Sequence, residues 1–368
     1  LSDAERARYA RHISIPDIGE AGQQKLKHSS VLLIGSGGLG SPAALYLAAA
    51  GVGRLGLVDD DQVDRSNLQR QIVHGESWVG KPKTESAASR LKEVNPEVVV
   101  EPYQTRLTPE NGLQIAASYD LILDGSDNFP TRFLTNDICF IQKKPCVFGS
   151  IFRFEGQVTV FAPHLGGPCY RCMLPSLPPP GSAPTCQEAG VLGVLPGVIG
   201  SLQAMEAIKL LLGIGRPPLG TLICYDALRS SFRNLRIARN PQCKLCGDSP
   251  TIRDIRNPET TANPSCTMTP SDIPSITVDE LAAKLPDNPV LIDVRQPEEH
   301  AEASIPGSIL IPLGELPERF KEIPQADEIL VHCKAGGRSA KAVSFLQEQG
   351  ITGSTNVLGG MDAWLARS

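Results

Sequence analysis

The sequence has no excess of positive charge, no unbroken apolar run long enough for a bilayer, no apolar leader and no short internal repeat. Each absence removes a class of protein. Against 40 Asp and Glu it sets only 35 Lys and Arg, a net charge of −5, so its global field does not recruit phosphate backbones or anionic lipid. Nucleic acid and membrane surfaces are therefore not expected as partners. The most apolar long stretch, 191–215, is interrupted by Pro196, Gln203, Glu206 and Lys209, which a membrane span rarely tolerates; it reads as a buried helix of a soluble fold. The first residues, LSDAERARYARH, are polar where a secretory signal needs an apolar core, and the expected compartment is the cytoplasm. Wholesale disorder is excluded too, because 41% hydrophobic and 20% charged residues are ordinary for a globular enzyme.

What is present points to two α/β domains. A chain of 368 residues exceeds what one hydrophobic core usually organises. Short apolar runs alternate with helical patterns at 31–35, 55–59, 98–102, 121–124 and 146–149, and again at 290–294, 309–312, 329–333 and 356–358. Such alternation predicts parallel sheets flanked by helices. Glycine and proline, 34 and 31 residues, concentrate in two stretches without periodicity, 174–185 and about 248–275. The first is expected as a surface loop and the second as a linker. The expected division is a domain over 1–248, a linker over 249–274 and a second domain over 275–368.

The strand VLLI leads into Gly35-Ser36-Gly37-Gly38-Leu39-Gly40 and then into a helical segment. Glycines there allow a tight turn and close backbone approach, and the helix N-terminus offers N–H groups to a phosphate. Asp59 follows the next strand, at the position suited to a ribose hydroxyl. Taken alone this fingerprint suits a nicotinamide dinucleotide, and the nucleotide stays open at this point. Asp61, Ser66, Asn67, Arg70, Lys83, Asp127 and Asn128 then argue for phosphate chemistry. At the carboxyl ends of parallel strands, Arg70 and Lys83 suit a triphosphate and Asp127 suits magnesium.

Of the ten cysteines, four form two C-x-x-C knuckles, Cys169/Cys172 and Cys243/Cys246. In a reducing compartment such pairs are metal ligands more often than disulfides. Four thiolates fill a tetrahedral zinc site and leave no position for a reactive water, so the expected zinc is structural. Cys139, Cys146 and Cys224 lie in apolar runs and are expected in the core; Cys266 has no assigned role. Near the other end, the strand ILVH runs into Cys333-Lys334-Ala335-Gly336-Gly337-Arg338. A strand-to-helix loop that aims N–H groups and an arginine at one sulfur stabilises anions attached to it, so Cys333 is a candidate nucleophile and Arg338 its expected anion-binding partner. Four residues separate Cys333 from Arg338, a loop sized for a persulfide rather than a tetrahedral phosphate.

The series GSGGLGSPAALYLAAAGVGRLGLVDDDQVDRSNLQRQ, GKPKTES, LDGSDN and GVIGSLQAMEAIKLL resembles the ubiquitin-activating-enzyme family across residues 5–247. The likeness is to the small bacterial members that adenylylate the sulfur carrier subunit of molybdopterin synthase or its thiamine counterpart. That resemblance implies a Rossmann-like adenylation domain with a zinc site and ATP as the nucleotide. Gly38, Asp59, Asn67, Arg70, Lys83 and Asp127 would contact ATP and magnesium. The product would be an acyl adenylate on the C-terminal glycine of a small β-grasp carrier protein ending in Gly-Gly. It also implies a homodimer in which Arg11 enters the partner subunit's site, zinc on the four knuckle cysteines, and Cys186, in its TC-x-EAG context, as an acyl or disulfide acceptor. LIDVR, SIPGSILIPL and GGMDAW, together with the Cys333 loop, resemble single rhodanese domains over 275–368. A fusion of adenylyltransferase and sulfurtransferase is the resulting expectation, with a cysteine desulfurase or thiosulfate supplying sulfur and a thiocarboxylate as product. Two alternatives are a conjugation factor that transfers no sulfur and a nicotinamide oxidoreductase; the latter leaves Arg70, Lys83 and both knuckles without purpose.

Overall fold

The computed structural model describes residues 1–178, 190–255 and 273–367. The chain divides into two compact units, Leu1–Ala262 and Asn263–Ser368. Cys186 and Cys266 lie outside the described residues, as do most of the expected proline-rich loop and the centre of the expected linker.

The first unit is built on eight strands: β1 (Ser30–Ile34), β2 (Arg54–Val58), β3 (Val99–Tyr103), β4 (Leu121–Asp124), β5 (Cys146–Phe152), β6 (Glu155–Phe161), β7 (Thr221–Asp226) and β8 (Ser231–Arg236). Their order is β3-β2-β1-β4-β5-β6-β7-β8. β1 to β5 are parallel, as the sequence predicts. β6, β7 and β8 extend the sheet antiparallel, beyond the parallel strands that the apolar runs mark. The strand β1, SVLLI, is buried throughout because both faces are covered: Val31 and Leu33 feed one core, Leu32 and Ile34 another. An unbroken apolar strand is the signature of that arrangement.

The helix Val194–Leu212 is long and apolar enough to cross a bilayer. It packs instead against β5, β6 and the helix Gly40–Ala49, burying Gln203 and Glu206 along with its apolar residues. Gln203 donates to the carbonyls of Asp124 at 2.8 Å and Val147 at 3.2 Å, tying the helix to the ends of β4 and β5. Beyond Asp248 the chain still packs on this unit, through Ile252 against the cysteine cluster and Ile255 against a core. Cys139 and Cys146 are buried as expected, but Cys224 is only partly covered, because it sits on β7 beside the exposed edge strand β8.

The second unit holds a parallel sheet of β9 (Ser275–Ile276), β10 (Val290–Asp293), β11 (Ile309–Leu310), β12 (Ile329–His332) and β13 (Ser354–Val357), ordered β11-β10-β12-β13-β9. Alternate residues of β10 and β12 again serve two cores, Ile292 and Val331 on one side, Leu291 and Leu330 on the other.

Candidate functional sites

In the first unit the chain order reverses between β1 and β4, so the loops leaving these neighbouring strands diverge. Ligands of open α/β sheets bind in that crevice. Here it holds a cavity of about 240 Å³ lined by Gly35, Gly37, Gly38, Asp59, Asp60, Asp61, Arg70, Lys83, Asp127 and Asn128, with further residues from the loops after β3 and β4. Gly35 has φ +90°, and a Cβ on it would press on the Gly125 carbonyl at 3.1 Å. At Gly40 a Cβ would lie 2.0 Å from the Gly35 carbonyl. The loop can fold back on itself only with glycine at both positions. No side chain caps the helix Gly40–Ala49; the Ser41 N–H bonds the Gly37 carbonyl, so what the helix start adds to the glycine loop is the positive end of its dipole.

Asp59 joins the loops. Its Oδ2 accepts from the Ser36 N–H at 2.8 Å and its Oδ1 from the Asp61 N–H at 3.0 Å. Burial pushes its carboxyl up, against the pull of Lys83. Lys83 opens the helix Lys83–Val94, is 5% exposed, and donates to Asp61 Oδ2 at 2.6 Å. Arg70 donates to the Ser66 carbonyl at 3.2 Å and lies against Gly38. Ser66 and Asn67 do not line the cavity. Ser66 closes a turn onto Asp64 Oδ1, and the Asn67 carbonyl accepts the Arg70 and Gln71 N–H groups, so both position the arginine. Gly40 likewise acts through packing rather than as lining. Asp127 is exposed in the cavity, while Asn128 Oδ1 caps the helix Phe129–Ile141 by accepting from the Thr131 N–H at 2.9 Å. Arg11 lies exposed on the short helix Ala10–Ile13 and is absent from the cavity lining of its own chain.

Sequence reasoning missed four residues here. Arg106 and Arg132 line the cavity; both follow carboxyl ends of parallel strands, a position that would have identified them. Arg132 donates to the Ser126 carbonyl and to Ser150 Oγ. Gln71 is 5% exposed, faces the cavity, and its Oε1 has no hydrogen-bond partner among the described residues. His74 lies beneath the loop: Nε2 donates to the Ser36 carbonyl at 3.0 Å and Nδ1 accepts from the Ser86 hydroxyl at 3.0 Å. Burial lowers its pKa to about 4, so the ring is neutral. No local signal marks it.

The two knuckles converge. Cys169 and Cys243 sulfurs lie 3.5 Å apart, Cys172 and Cys246 3.3 Å, Cys169 and Cys172 3.8 Å, and all four lie within 4.8 Å of one another. Zinc–sulfur bonds of about 2.3 Å in a tetrahedron require sulfurs about 3.8 Å apart, so the cluster fits a zinc ion. The knuckle is anchored independently by Arg171, which pairs with buried Asp137 through Nε at 2.8 Å and Nη2 at 2.6 Å and lies over the Phe133 ring.

In the second unit Cys333 follows β12 and is fully buried. Its sulfur receives the Gly336 N–H at 3.1 Å and lies 3.3 Å from the Ser339 hydroxyl, whose single proton is shared with the Gly336 carbonyl at 3.1 Å. The left-handed Gly336, φ +92°, turns the loop into the helix Gly337–Glu348. The GGM segment braces it from behind: the Met361 N–H donates to the Cys333 carbonyl at 2.7 Å, and a Cβ on Gly360 would lie 2.2 Å from that oxygen. Arg338 is held bidentately by Glu299, both bonds 2.7 Å, and its charge also interacts with Cys333. The pairing keeps the Glu299 carboxyl at about 2 and raises the guanidinium.

Residues 9–245 match the ThiF family and residues 277–367 the rhodanese-like domain. The chain is 42% identical to adenylyltransferase and sulfurtransferase MOCS3-1 of Zea mays, over 97% of this chain and 81% of that one. It is 40% identical to adenylyltransferase and sulfurtransferase MOCS3 of Aedes aegypti, over 99% and 87%. A shorter relative, the sulfur carrier protein adenylyltransferase of Thermus thermophilus, is 54% identical over 68% of this chain and 94% of its own. Among solved structures, MccB of E. coli superposes with a TM-score of 0.58 at 24% identity, covering 65% of this chain and 74% of that one, a likeness of fold.

Proposed function

Since the chain belongs to the ThiF family and ends in a rhodanese-like domain, and is thus an adenylyltransferase and sulfurtransferase, we propose that it activates the C-terminal glycine of a small β-grasp sulfur carrier with ATP and converts it to a thiocarboxylate. The observation that carries this reading is the cavity at the β1/β4 crevice, where the glycine loop, Asp59, Arg70, Lys83 and Asp127 line one space. The glycine loop, with the positive end of the helix Gly40–Ala49 behind it, cradles the phosphates. Arg70 and Lys83 offset the charge that develops as pyrophosphate leaves. Asp59, with Gln71 Oε1 nearby as an unused acceptor, suits the nucleoside end.

Magnesium, held by Asp127, would neutralise phosphate oxygens. The carrier carboxylate attacks the α-phosphorus, the bond to the β-phosphate breaks, and an acyl adenylate results. Zinc on Cys169, Cys172, Cys243 and Cys246 closes the fold of the first unit and takes no part in the reaction. Arg11, exposed and absent from its own chain's cavity lining, suits service in a homodimer partner's site.

For sulfur transfer, a persulfide on Cys333 attacks the activated carbonyl and AMP leaves. The thiol of Cys186 then attacks the Cys333 sulfur, releasing the thiocarboxylate and leaving a disulfide that a cellular thiol reduces. Cys186 enters by resemblance alone. The bonds from Gly336 and Ser339 to the Cys333 sulfur support its part, since both donors suit a sulfur anion. A reducing cytoplasm suits both the thiolate cluster and the thiol chemistry. The test uses the full chain with ATP, labelled pyrophosphate and a carrier ending in Gly-Gly. Carrier-dependent exchange is expected, and Arg70→Ala or Asp127→Ala should abolish it; exchange unaltered in both variants refutes the assignment.

A further inference from the structure

The arginine of the Cys333 loop is already paired with a carboxylate. Arg338 donates through Nη1 and Nη2 to the two oxygens of Glu299, each at 2.7 Å. The two side chains are only 26% and 30% exposed, a geometry that gives strong, specific pairing. Glu299 is itself fixed from a second side: its Oε2 accepts the Gln296 N–H at 3.0 Å, in a capping box that starts the helix Pro297–Glu302. The Cys333 sulfur meanwhile has the Gly336 N–H as its own donor, and the Ser339 hydroxyl, whose one proton it shares with the Gly336 carbonyl at 3.1 Å. The sulfur anion is therefore provided for without the guanidinium, and the guanidinium is neutralised by a carboxylate it cannot leave without cost. The other cation of the loop, Lys334, is exposed to water, where a lone ammonium contributes little.

We propose that Glu299 determines which sulfur donor Cys333 accepts, turning the site away from sulfur oxyanions and towards sulfur delivered as a thiol persulfide. This rests on Cys333 as the sulfur-bearing thiol. With thiosulfate, the Cys333 thiolate attacks the outer sulfur, the sulfur–sulfur bond of thiosulfate breaks, and sulfite leaves with the electron pair. The sulfonate end then needs a cation close by while negative charge grows on it, and Arg338 has already been neutralised. With a persulfide R–S–SH, the same thiolate takes the terminal sulfur, the sulfur–sulfur bond breaks with its electron pair on the inner sulfur, and the terminal S–H proton passes to that sulfur, so R–SH leaves and the persulfide anion stays on Cys333. No oxyanion has to be held, so the closed Glu299–Arg338 pair carries no penalty.

The experiment measures sulfur transfer to cyanide by the full chain from two donors: thiosulfate, and 2-hydroxyethyl persulfide generated from bis(2-hydroxyethyl) disulfide and hydrosulfide. Glu299→Gln keeps the shape and the capping acceptor but removes the charge. It is expected to raise kcat/KM for thiosulfate about tenfold, chiefly through KM, and to change use of the persulfide less than twofold. Adding Arg338→Gln to that variant should remove the gain. Thiosulfate turnover that is unchanged or lower in Glu299→Gln, whether or not the persulfide is still used, overturns the proposal, since a merely structural carboxylate gives no gain on removal. Sulfur transfer by Cys333→Ala at the wild-type rate refutes instead the reading of Cys333, and with it the premise.

Discussion

Each unit buries a histidine beside the loop that would hold an anion. His74 supports the Ser36 carbonyl, and His332 immediately precedes Cys333, its two ring nitrogens without hydrogen-bond partners among the described residues. Burial lowers both pKa values to about 4. An unfolded histidine takes up its proton near pH 6.5, so between pH 6.5 and about 4 the unfolded chain binds more protons than the folded one. Their stabilising effect is complete above pH 6.5 and is lost as pH falls towards 4. Thermal melts from pH 7 to pH 4.5 should therefore show falling Tm, and His74→Gln, which cannot gain a proton, should flatten that fall for the first unit. An unaltered acid limb in the variant would assign the loss to other groups. At the same scale, Lys83→Met should reduce carrier-dependent pyrophosphate exchange about 10- to 100-fold, the worth of one charge-assisted contact, with Tm nearly unchanged. A collapse of Tm would mean instead that the bond to Asp61 is structural.

Among the elements, the cysteine knuckles rest on two separable supports. The four sulfurs are spaced to hold a metal, while Arg171 and Asp137 form a buried pair that needs none. Purified protein should contain about one zinc per chain, measured by atomic emission, and Cys172→Ala should lower both zinc content and Tm with little effect on KM for ATP. Asp137→Ala should destabilise by about 3–5 kcal/mol in denaturant titrations, because it leaves a buried guanidinium unpaired. A cost under 1 kcal/mol would show that water reaches the site. The same scale exposes what periodicity could not find. β1, β2 and β4 are buried apolar runs and were legible from sequence, whereas β8, SFRNLR, is exposed along nearly its whole length. It becomes a strand only because β7 offers a free edge, and no residue pattern encodes a neighbour's edge.

The molecule as a whole is two units with separate cores, and the two chemistries should come apart. Cys333→Ala is expected to leave carrier adenylation at the wild-type rate while sulfur transfer to cyanide falls to background. A parallel loss of pyrophosphate exchange would show that the second unit supports the first reaction. Much of this architecture was readable in the chain. Glycines at 35, 37, 38 and 40, acids after β2 and β4, paired cysteines and the Cys333 loop are local in sequence, because a phosphate-binding turn, a metal knuckle and a nucleophile loop each need particular residues within a few positions. Tertiary structure alone decided the rest. It brought His74 under the glycine loop, assigned Ser66 and Asn67 to positioning rather than lining, joined knuckles that lie 70 residues apart, and closed Arg338 onto Glu299, 39 positions earlier. Those outcomes depend on which side chains meet across packed elements. Hydrogen-bond satisfaction in a buried site is settled by its spatial neighbours, which sequence spacing does not specify.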